Sequence, residues 1–123
     1  MVHKSYFTFK ELVTTDTDFP NYPSTWEHIV NLVELESVLT NIREQFGEPI
    51  IVNSAFRTPE VNAAVKGSKN SYHLQGRAAD IRPSFYPSTD YKDNFQRLVD
   101  VIKQHEHYLT EVIYYPTFIH IAI

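Results

Sequence analysis

The sequence predicts an α+β fold in which a mostly antiparallel sheet packs against helices. Two long segments, residues 24–46 and 88–107, repeat apolar side chains at helical spacing, and short β-rich runs lie between and after them. The last of these runs, residues 111–123, is interrupted at Pro116 and Thr117, as expected for two strands joined by a tight turn. Helices that alternate with short strands and end in a hairpin are typical of α+β proteins.

Size and composition limit the classes of protein that fit. A chain of 123 residues has the length of one core, so we expect a single domain over residues 1–123, and no association signal argues against a monomer. Its net charge of −4 and dispersed Lys and Arg argue against nucleic acid as a partner. No apolar run approaches the ~18 residues of a membrane span, and the start has no signal-peptide pattern, so we expect synthesis in the cytoplasm. Without cysteine, any metal would be bound by imidazole and carboxylate.

The N-terminal part is predicted to lead into the first long helix. Residues 6–12 are rich in aromatic side chains and predict a short edge element, which a polar loop follows. Ser24 and Glu27 have the spacing of a capping box, and Gly47 is a helix stop signal. The helix between them is predicted to direct one apolar face inward: Trp26, Ile29, Val30, Val33, Leu39, Ile42 and Phe46.

The rest of the chain is predicted to add two strands, a short helix and a second long helix before the hairpin. In order, these are a buried central strand (49–57), a short helix (58–65), a loop (67–70), a second strand (77–83) and a long helix (88–107). Thr58 and Pro59 are a typical cap and first-turn pair for the short helix. The second long helix is predicted to bury Phe95, Leu98, Val99 and Ile102.

The segment SYHLQGRAAD has the residue types of a metal site. His73 and Asp80 lie seven residues apart, and Gly76 between them permits the turn that would bring both side chains to one ion. His120, in the apolar run FIHIAI, is a candidate third ligand. Two histidines and one carboxylate with an open fourth position form a catalytic zinc arrangement. On spacing alone, an exposed loop histidine at 73 and a hydrogen-bonded core histidine at 120 remain the alternatives.

Three segments resemble the M15 family of zinc D-Ala-D-Ala peptidases. The family pattern Ser-x-His-x-x-Gly-x-Ala-x-Asp is matched at every defined position of residues 71–80. The upstream element Ser-x-Phe/Tyr-Arg-Ser/Thr-Pro-x-x-Asn is matched over residues 54–62, and Phe118 and His120 match the later aromatic-x-His element. The opening FTFKELV is similar to that of a subgroup found in phage and prophage genomes. The resemblance covers nearly the whole chain and implies the fold that these peptidases share with the zinc-bearing domain of Hedgehog proteins.

The resemblance implies a zinc peptidase that cleaves peptidoglycan stem peptides or cross-links, as a phage or prophage lysin would. It implies Zn²⁺ as the cofactor, with His73, Asp80 and His120 as its ligands. The alternative is a protein of the same fold and metal site with little or no activity, which would bind peptidoglycan or build the virion and use zinc for stability.

The resemblance also implies roles for residues around the metal. Arg57 is expected to point into the site and to polarise the scissile carbonyl or stabilise the negative oxygen of the tetrahedral intermediate. A surface ion pair between Arg57 and Glu60 is the alternative. Ser71 and Tyr72 are expected to line the substrate groove or to stiffen its loop, and Tyr115 is a further candidate for substrate contact.

The residue that transfers protons departs from the family pattern. Several branches of the family have an acidic residue three positions before the last histidine, where this chain has Thr117. In the phage subgroup an acidic residue often ends the preceding strand, where this chain has Tyr115. Glu111 is the nearest carboxylate in sequence and is the candidate for this role, with Tyr115, His105 and His107 as alternatives.

Overall fold

The computed structural model describes residues 5–86 and 90–123 and has the predicted α+β fold. The helices in these ranges are α1 (Phe9–Leu12), α2 (Trp26–Phe46), α3 (Pro59–Ala64) and α4 (Tyr91–His105), with 3₁₀ turns at Tyr72–Gln75 and Glu106–Tyr108. The strands are β1 (Ile50–Ser54), β2 (Ala78–Pro83), β3 (Glu111–Tyr114) and β4 (Ile119–Ala122). They form an antiparallel sheet in the order β1-β2-β4-β3, so the predicted fold class is confirmed.

The predicted edge element at residues 6–12 is instead the single helical turn α1. The Thr8 side chain accepts a hydrogen bond from the Glu11 N–H (3.2 Å), and the Glu11 carboxylate accepts one from the Thr8 N–H (3.1 Å). This reciprocal capping box satisfies backbone donors that a strand would have left for a neighbouring strand. Phe7 and Leu12 bury their side chains in the core, which explains the aromatic and apolar character of the segment.

The N-cap of helix α2 lies one residue later than predicted. Thr25, and not Ser24, is the N-cap, because the Thr25 hydroxyl accepts a hydrogen bond from the His28 N–H at 3.1 Å. The Ser24 N–H instead donates to Nδ1 of His28 at 3.3 Å. Gly47 ends the helix with φ 79°, as predicted.

The buried face of α2 differs from the predicted one. Trp26, Val30 and Val33 are 84%, 54% and 62% exposed, so the first half of the predicted face is wrong. The side chains that α2 buries are Leu32, Leu35, Leu39, Thr40, Ile42 and Phe46. The second half of the predicted face, with Leu39, Ile42 and Phe46, is therefore confirmed. Ile29, in the first half, is half-buried.

Helix α4 and the short helix α3 follow the sequence closely. The predicted start of α4 at residue 88 lies outside the described residues, and its end passes into the second 3₁₀ turn. Leu98, Val99 and Ile102 are buried, and Phe95 packs half-buried against the core. The predicted cap of α3 is also confirmed: the hydroxyl of its cap residue accepts a hydrogen bond from a first-turn N–H.

Strand β1 is an edge strand, which corrects its predicted central position. Within the described ranges it pairs with β2 alone. Ile50 and Val52 are buried whereas Ile51 between them is 36% exposed, the alternation of a strand with one covered face. An apolar run of this length does not reveal from its composition how many of its faces are covered.

The two faces of the central strands β2 and β4 have different chemistry. One face contributes apolar side chains to the core that α2 and α4 complete: Ala79, Ile81, Ile119 and Ile121. Residues directly opposite on antiparallel strands share a face, and the pair Asp80 and His120 lies on the other one. Helices α2 and α4 therefore cover one side of the sheet, and a polar pair lies at the centre of the opposite side. None of the helices described here has the length and apolar character that a membrane crossing requires.

Candidate active site

A single row across the sheet brings together several residues of the candidate site. Ser54 of β1 lies opposite Asp80 of β2, Asp80 opposite His120 of β4, and His120 opposite Ile113 of β3. Because such partners project from the same face, the row carries their side chains to one place. This register joins positions that are far apart in sequence.

His73 reaches this row from the 3₁₀ turn beside the sheet. The Ser71 hydroxyl accepts a hydrogen bond from the His73 N–H at 3.1 Å and so caps the turn. Gly76 ends the turn with φ 75°, and a Cβ there would lie 3.1 Å from the His28 carbonyl oxygen and 3.2 Å from Leu32 Cγ. A glycine is needed both for this backbone conformation and for the close approach to α2. The result is a histidine that is only 2% exposed.

The hydrogen bonds of the two imidazoles indicate which nitrogen each could offer to a metal. His73 Nδ1 lies 2.6 Å from the Ala55 carbonyl oxygen, and a carbonyl only accepts, so this nitrogen carries the proton. His73 Nε2 then faces Oδ1 of Asp80 at 3.2 Å. His120 Nδ1 lies 2.8 Å from the same oxygen. The ligand atoms of the three residues all lie within 4.8 Å of one another.

This donor set fits a divalent metal ion. Four-coordinate zinc with bonds of about 2.0–2.1 Å requires ligand atoms about 3.3 Å apart, and the separations of 2.8 and 3.2 Å are close to that. The three residues are buried, so an ion there would keep few waters. The bond from His73 to the Ala55 carbonyl is the kind of outer contact that orients a metal-ligating histidine. The predicted ligands His73, Asp80 and His120 are thus brought together in one group, which we call the metal group because it could hold a metal ion.

Burial and neighbouring charges act in opposite directions on the ligand groups. Burial would raise the pKa of Asp80, but its contacts with the imidazoles, first the hydrogen bond from His120, lower it to about 2. Burial would lower the pKa of His120, but Asp80 and Glu111 together raise it. Asp80 is therefore ionised at neutral pH and could offer an anionic oxygen to a metal ion.

All three guanidinium nitrogens of Arg57 donate hydrogen bonds, which hold the side chain at the edge of the metal group. Its Nε donates to the Ser54 hydroxyl (3.0 Å), one terminal nitrogen to Asn62 Oδ1 (3.3 Å), and the other to Asp80 Oδ2 (3.3 Å). Its ion pair is with Asp80 and not with Glu60, the alternative partner on sequence grounds. Burial lowers the pKa of Arg57 and Asp80 opposes that effect, so the group stays a cation.

The Asn62 side chain orients Arg57, and Gly67 leaves room for the Asn62 side chain. Asn62 Nδ2 donates to the Ser68 carbonyl at 2.9 Å, so this side chain links Arg57 to the loop after α3. A Cβ at Gly67 would collide with Asn62 Oδ1 and would lie 3.0 Å from an Arg57 nitrogen. Only glycine leaves room for this arrangement.

Glu111 contacts the metal group directly. Its Oε1 lies 2.7 Å from His120 Nε2, and its side chain is 42% exposed. The alternatives lie elsewhere: His105 Nδ1 contacts the Val101 carbonyl oxygen at 2.9 Å, and the His107 ring packs on its neighbour, Tyr108. Thus Glu111 is within reach of the site although it lies at the start of its strand.

A cavity of about 450 Å³ opens over these groups. The predicted substrate contacts Ser71, Tyr72 and Tyr115 all line it. The Tyr115 ring stacks on that of Phe118, with centroids 4.6 Å apart, and forms an aromatic wall. Lys66 also lines the cavity and was not predicted from the sequence, where no motif distinguishes it from other loop lysines.

The comparisons with known proteins agree with this geometry. No curated protein matches the chain significantly. The family model described as Peptidase M15, a family of metal-dependent peptidases, matches residues 5–122. The matched range includes all three residues of the metal group and the residues that line the cavity. The chain therefore belongs to the Peptidase M15 family.

Proposed function

We propose that the protein is a zinc-dependent peptidase that hydrolyses peptidoglycan stem peptides or cross-links. The observation that carries this proposal is the buried group of His73, Asp80 and His120, next to the fixed cation Arg57 and open to a cavity. A zinc ion bound by these ligands would supply Lewis-acid chemistry for peptide hydrolysis. Membership of a peptidase family supports the reaction class.

Arg57 is positioned to act on the substrate carbonyl. Its hydrogen bonds to Ser54 and Asn62 orient the guanidinium before any substrate arrives. A cation that is already oriented needs no reorganisation when negative charge develops on the carbonyl oxygen, and such groups give large rate effects. We therefore assign to Arg57 the stabilisation of that charge.

Glu111 has two roles in this proposal. The cavity lining, as far as the structure describes it, has two carboxylates, and Asp80 is the one that would bind the metal. Glu111 is the remaining carboxylate and would accept and return the proton during hydrolysis. Its contact with His120 Nε2 also holds that nitrogen in the donor form, which leaves Nδ1 free to face the metal position.

The substrate would lie between the loop of Ser71 and Tyr72 and the aromatic wall of Tyr115. The resemblance of the central motif to peptidases of D-Ala-D-Ala bonds supports peptidoglycan as the substrate. The similarity of the first residues to a phage and prophage subgroup supports a lysin that acts on the bacterial cell wall. We further propose that the chain works as a monomer with a single domain over residues 1–123.

A second candidate function is a zinc-stabilised module that binds peptidoglycan or builds the virion and does not cleave. The family has its proton-transferring acid at one of two positions, and this chain has Thr117 and Tyr115 there. Neither residue is acidic, which favours the non-cleaving module. The close contact of Glu111 with His120 favours it too, since a carboxylate engaged in this way is less free to transfer a proton.

Incubation of the zinc-loaded protein with purified peptidoglycan fragments of several chemotypes separates the two candidates. The first candidate requires release of D-Ala or opening of a cross-link, detected by mass spectrometry. The matched control is His73→Ala, which removes one ligand and should abolish release. A protein that binds zinc and fragments but releases nothing from any chemotype would be the non-cleaving module. Zinc content that is the same in His120→Ala would show that the ligand assignment is wrong.

A further inference from the structure

Lys66 has a backbone conformation that lysine rarely adopts. In the described part of the chain it is the one residue other than glycine with positive φ, at 59°. The left-handed region brings Cβ close to a carbonyl oxygen and is unfavourable for a residue with a side chain. Glycine and asparagine are the usual occupants of this position at a helix end.

The geometry of the loop requires this conformation but does not require a lysine. The Lys66 N–H donates to the Ala63 carbonyl at 3.1 Å, and the Gly67 N–H donates to the Asn62 carbonyl at 2.8 Å, so the chain reverses at the end of α3. The glycine of this pair is needed at 67, where a Cβ would collide with the Asn62 side chain. Residue 66 must therefore adopt the left-handed backbone conformation. The glycine beside it cannot serve there instead, because it is required at position 67.

Lys66 is also the uncommitted cation of the active-site cavity. It lines the cavity and is exposed, and no ion pair joins it to a carboxylate among residues 5–86 and 90–123. The other cation of the lining, Arg57, is already bound to Asp80. Residues held in strained conformations concentrate at functional sites, where the strained position serves binding or catalysis.

The charges of the cavity favour an anionic ligand. Among the described residues, the two cationic side chains of the lining balance its carboxylates, Asp80 and Glu111, so a bound divalent ion would leave the cavity positive. We propose that Lys66 binds a carboxylate of the substrate peptide and so determines specificity, an inference that rests on the proposed function. The carboxylate has two sources in peptidoglycan peptides: the C-terminal α-carboxylate, or the α-carboxylate of a γ-linked D-Glu.

Two matched peptide pairs distinguish these sources. The first pair is acetyl-L-Lys-D-Ala-D-Ala and its C-terminal amide. The second is acetyl-L-Ala-γ-D-Glu-L-Lys amide and the same peptide with D-isoglutamine. Calorimetric titration of the zinc-loaded protein gives Kd for each peptide, and hydrolysis gives KM and kcat separately.

The variants are chosen so that the backbone and the charge are tested independently. Lys66→Asn and Lys66→Gly remove the charge and tolerate positive φ, whereas Lys66→Arg keeps the charge. We expect Lys66→Asn to weaken binding of one acid peptide about tenfold, as for loss of one charge-assisted hydrogen bond. Its amide partner should bind the parent and Lys66→Asn equally, and Lys66→Arg should restore most of the affinity. The Tm of the Asn and Gly variants should equal or exceed that of the parent, because strain is relieved.

Each outcome decides the matter. The acid peptide that loses affinity identifies the source of the carboxylate. Equal Kd values for parent and Lys66→Asn on both acid peptides, or no binding of either by the parent, would overturn the proposal. Discrimination in binding without hydrolysis of any peptide would leave the role of Lys66 intact and reject the peptidase function instead.

Discussion

The two carboxylates in the described lining of the cavity both contact His120 but differ in burial and in their other partners, and for that reason we expect different roles. Asp80 contacts both imidazoles and Arg57 and is buried, so its charge is fully committed. Glu111 has its contact with His120 Nε2 and keeps its side chain half-exposed. A half-exposed carboxylate can exchange protons with solvent, whereas a buried one with a strongly lowered pKa cannot serve as a base at neutral pH.

Replacing Glu111 separates proton transfer from the orientation of His120. Glu111→Gln keeps an oxygen that can accept from His120 Nε2 but cannot carry a proton, so we expect kcat to fall about 10²–10⁴-fold with zinc affinity nearly unchanged. Glu111→Ala also removes the contact with His120 Nε2, so we expect its zinc affinity to be roughly 10-fold to 100-fold lower than that of the parent. Hydrolysis of peptidoglycan fragments, quenched at successive times, measures kcat. Titration against a competing chelator measures zinc affinity.

Glu60→Gln is the control for Glu111, because it removes an acidic residue outside the cavity lining. It should change neither quantity. If Glu111→Gln retains the parent kcat, the proton carrier is another group. If Glu111→Ala retains the parent zinc affinity, the contact with His120 does not orient the ligand.

At the level of residues, the sequence motifs predict side chains and miss backbone groups. The resemblance of the motifs to the M15 family, and not spacing alone, predicts that His73, Asp80, His120 and Arg57 meet, and all four lie beside one cavity. The Ala55 carbonyl that fixes the tautomer of His73 has no sequence signal, because every residue has a carbonyl. Lys66 was missed since its distinguishing feature is a dihedral angle and not its residue type.

At the level of elements, α2 shows why apolar periodicity can indicate the wrong face. The helix has apolar side chains on two stripes, and both satisfy helical spacing. One stripe, with Trp26, Val30 and Val33, is exposed, whereas the other, with Leu35 and Leu39, is fully buried. Helix existence and its end at a glycine follow from local propensity and backbone conformation. The choice between two apolar stripes depends on the sheet against which the helix packs.

A pair of truncations on α2 tests which stripe stabilises the fold. Leu39→Ala removes side-chain volume from a fully buried position and should lower the free energy of unfolding by about 2–5 kcal/mol. Val33→Ala at its mostly exposed position should change it by less than about 0.5 kcal/mol. Urea unfolding followed by circular dichroism measures both. Comparable losses in the two variants would mean that the outer stripe is covered in solution.

At the level of the whole molecule, the site exists because strand pairing joins distant parts of the chain. The row from Ser54 through Asp80 and His120 to Ile113 depends on the register of three strand pairs. One-residue slippage of β4 would turn His120 toward the core face, since side chains alternate along a strand. A single sequence predicts the strands but not their order, which explains why β1 was expected at the centre and lies at the edge.

This dependence couples metal binding to folding. The ligands come from a 3₁₀ turn, a central strand and the last strand, so they meet in the folded chain and separate when it unfolds. An ion that binds only the native state at about a thousand times its Kd adds about 4 kcal/mol of stability. For a domain of this size we expect zinc to raise Tm by roughly 10–20 °C and excess chelator to reverse the shift, measured by differential scanning calorimetry. His73→Ala should lose the shift, whereas His107→Ala, which removes a histidine outside the cavity, should retain it. An equal shift in both variants would place the stabilising zinc at a different site.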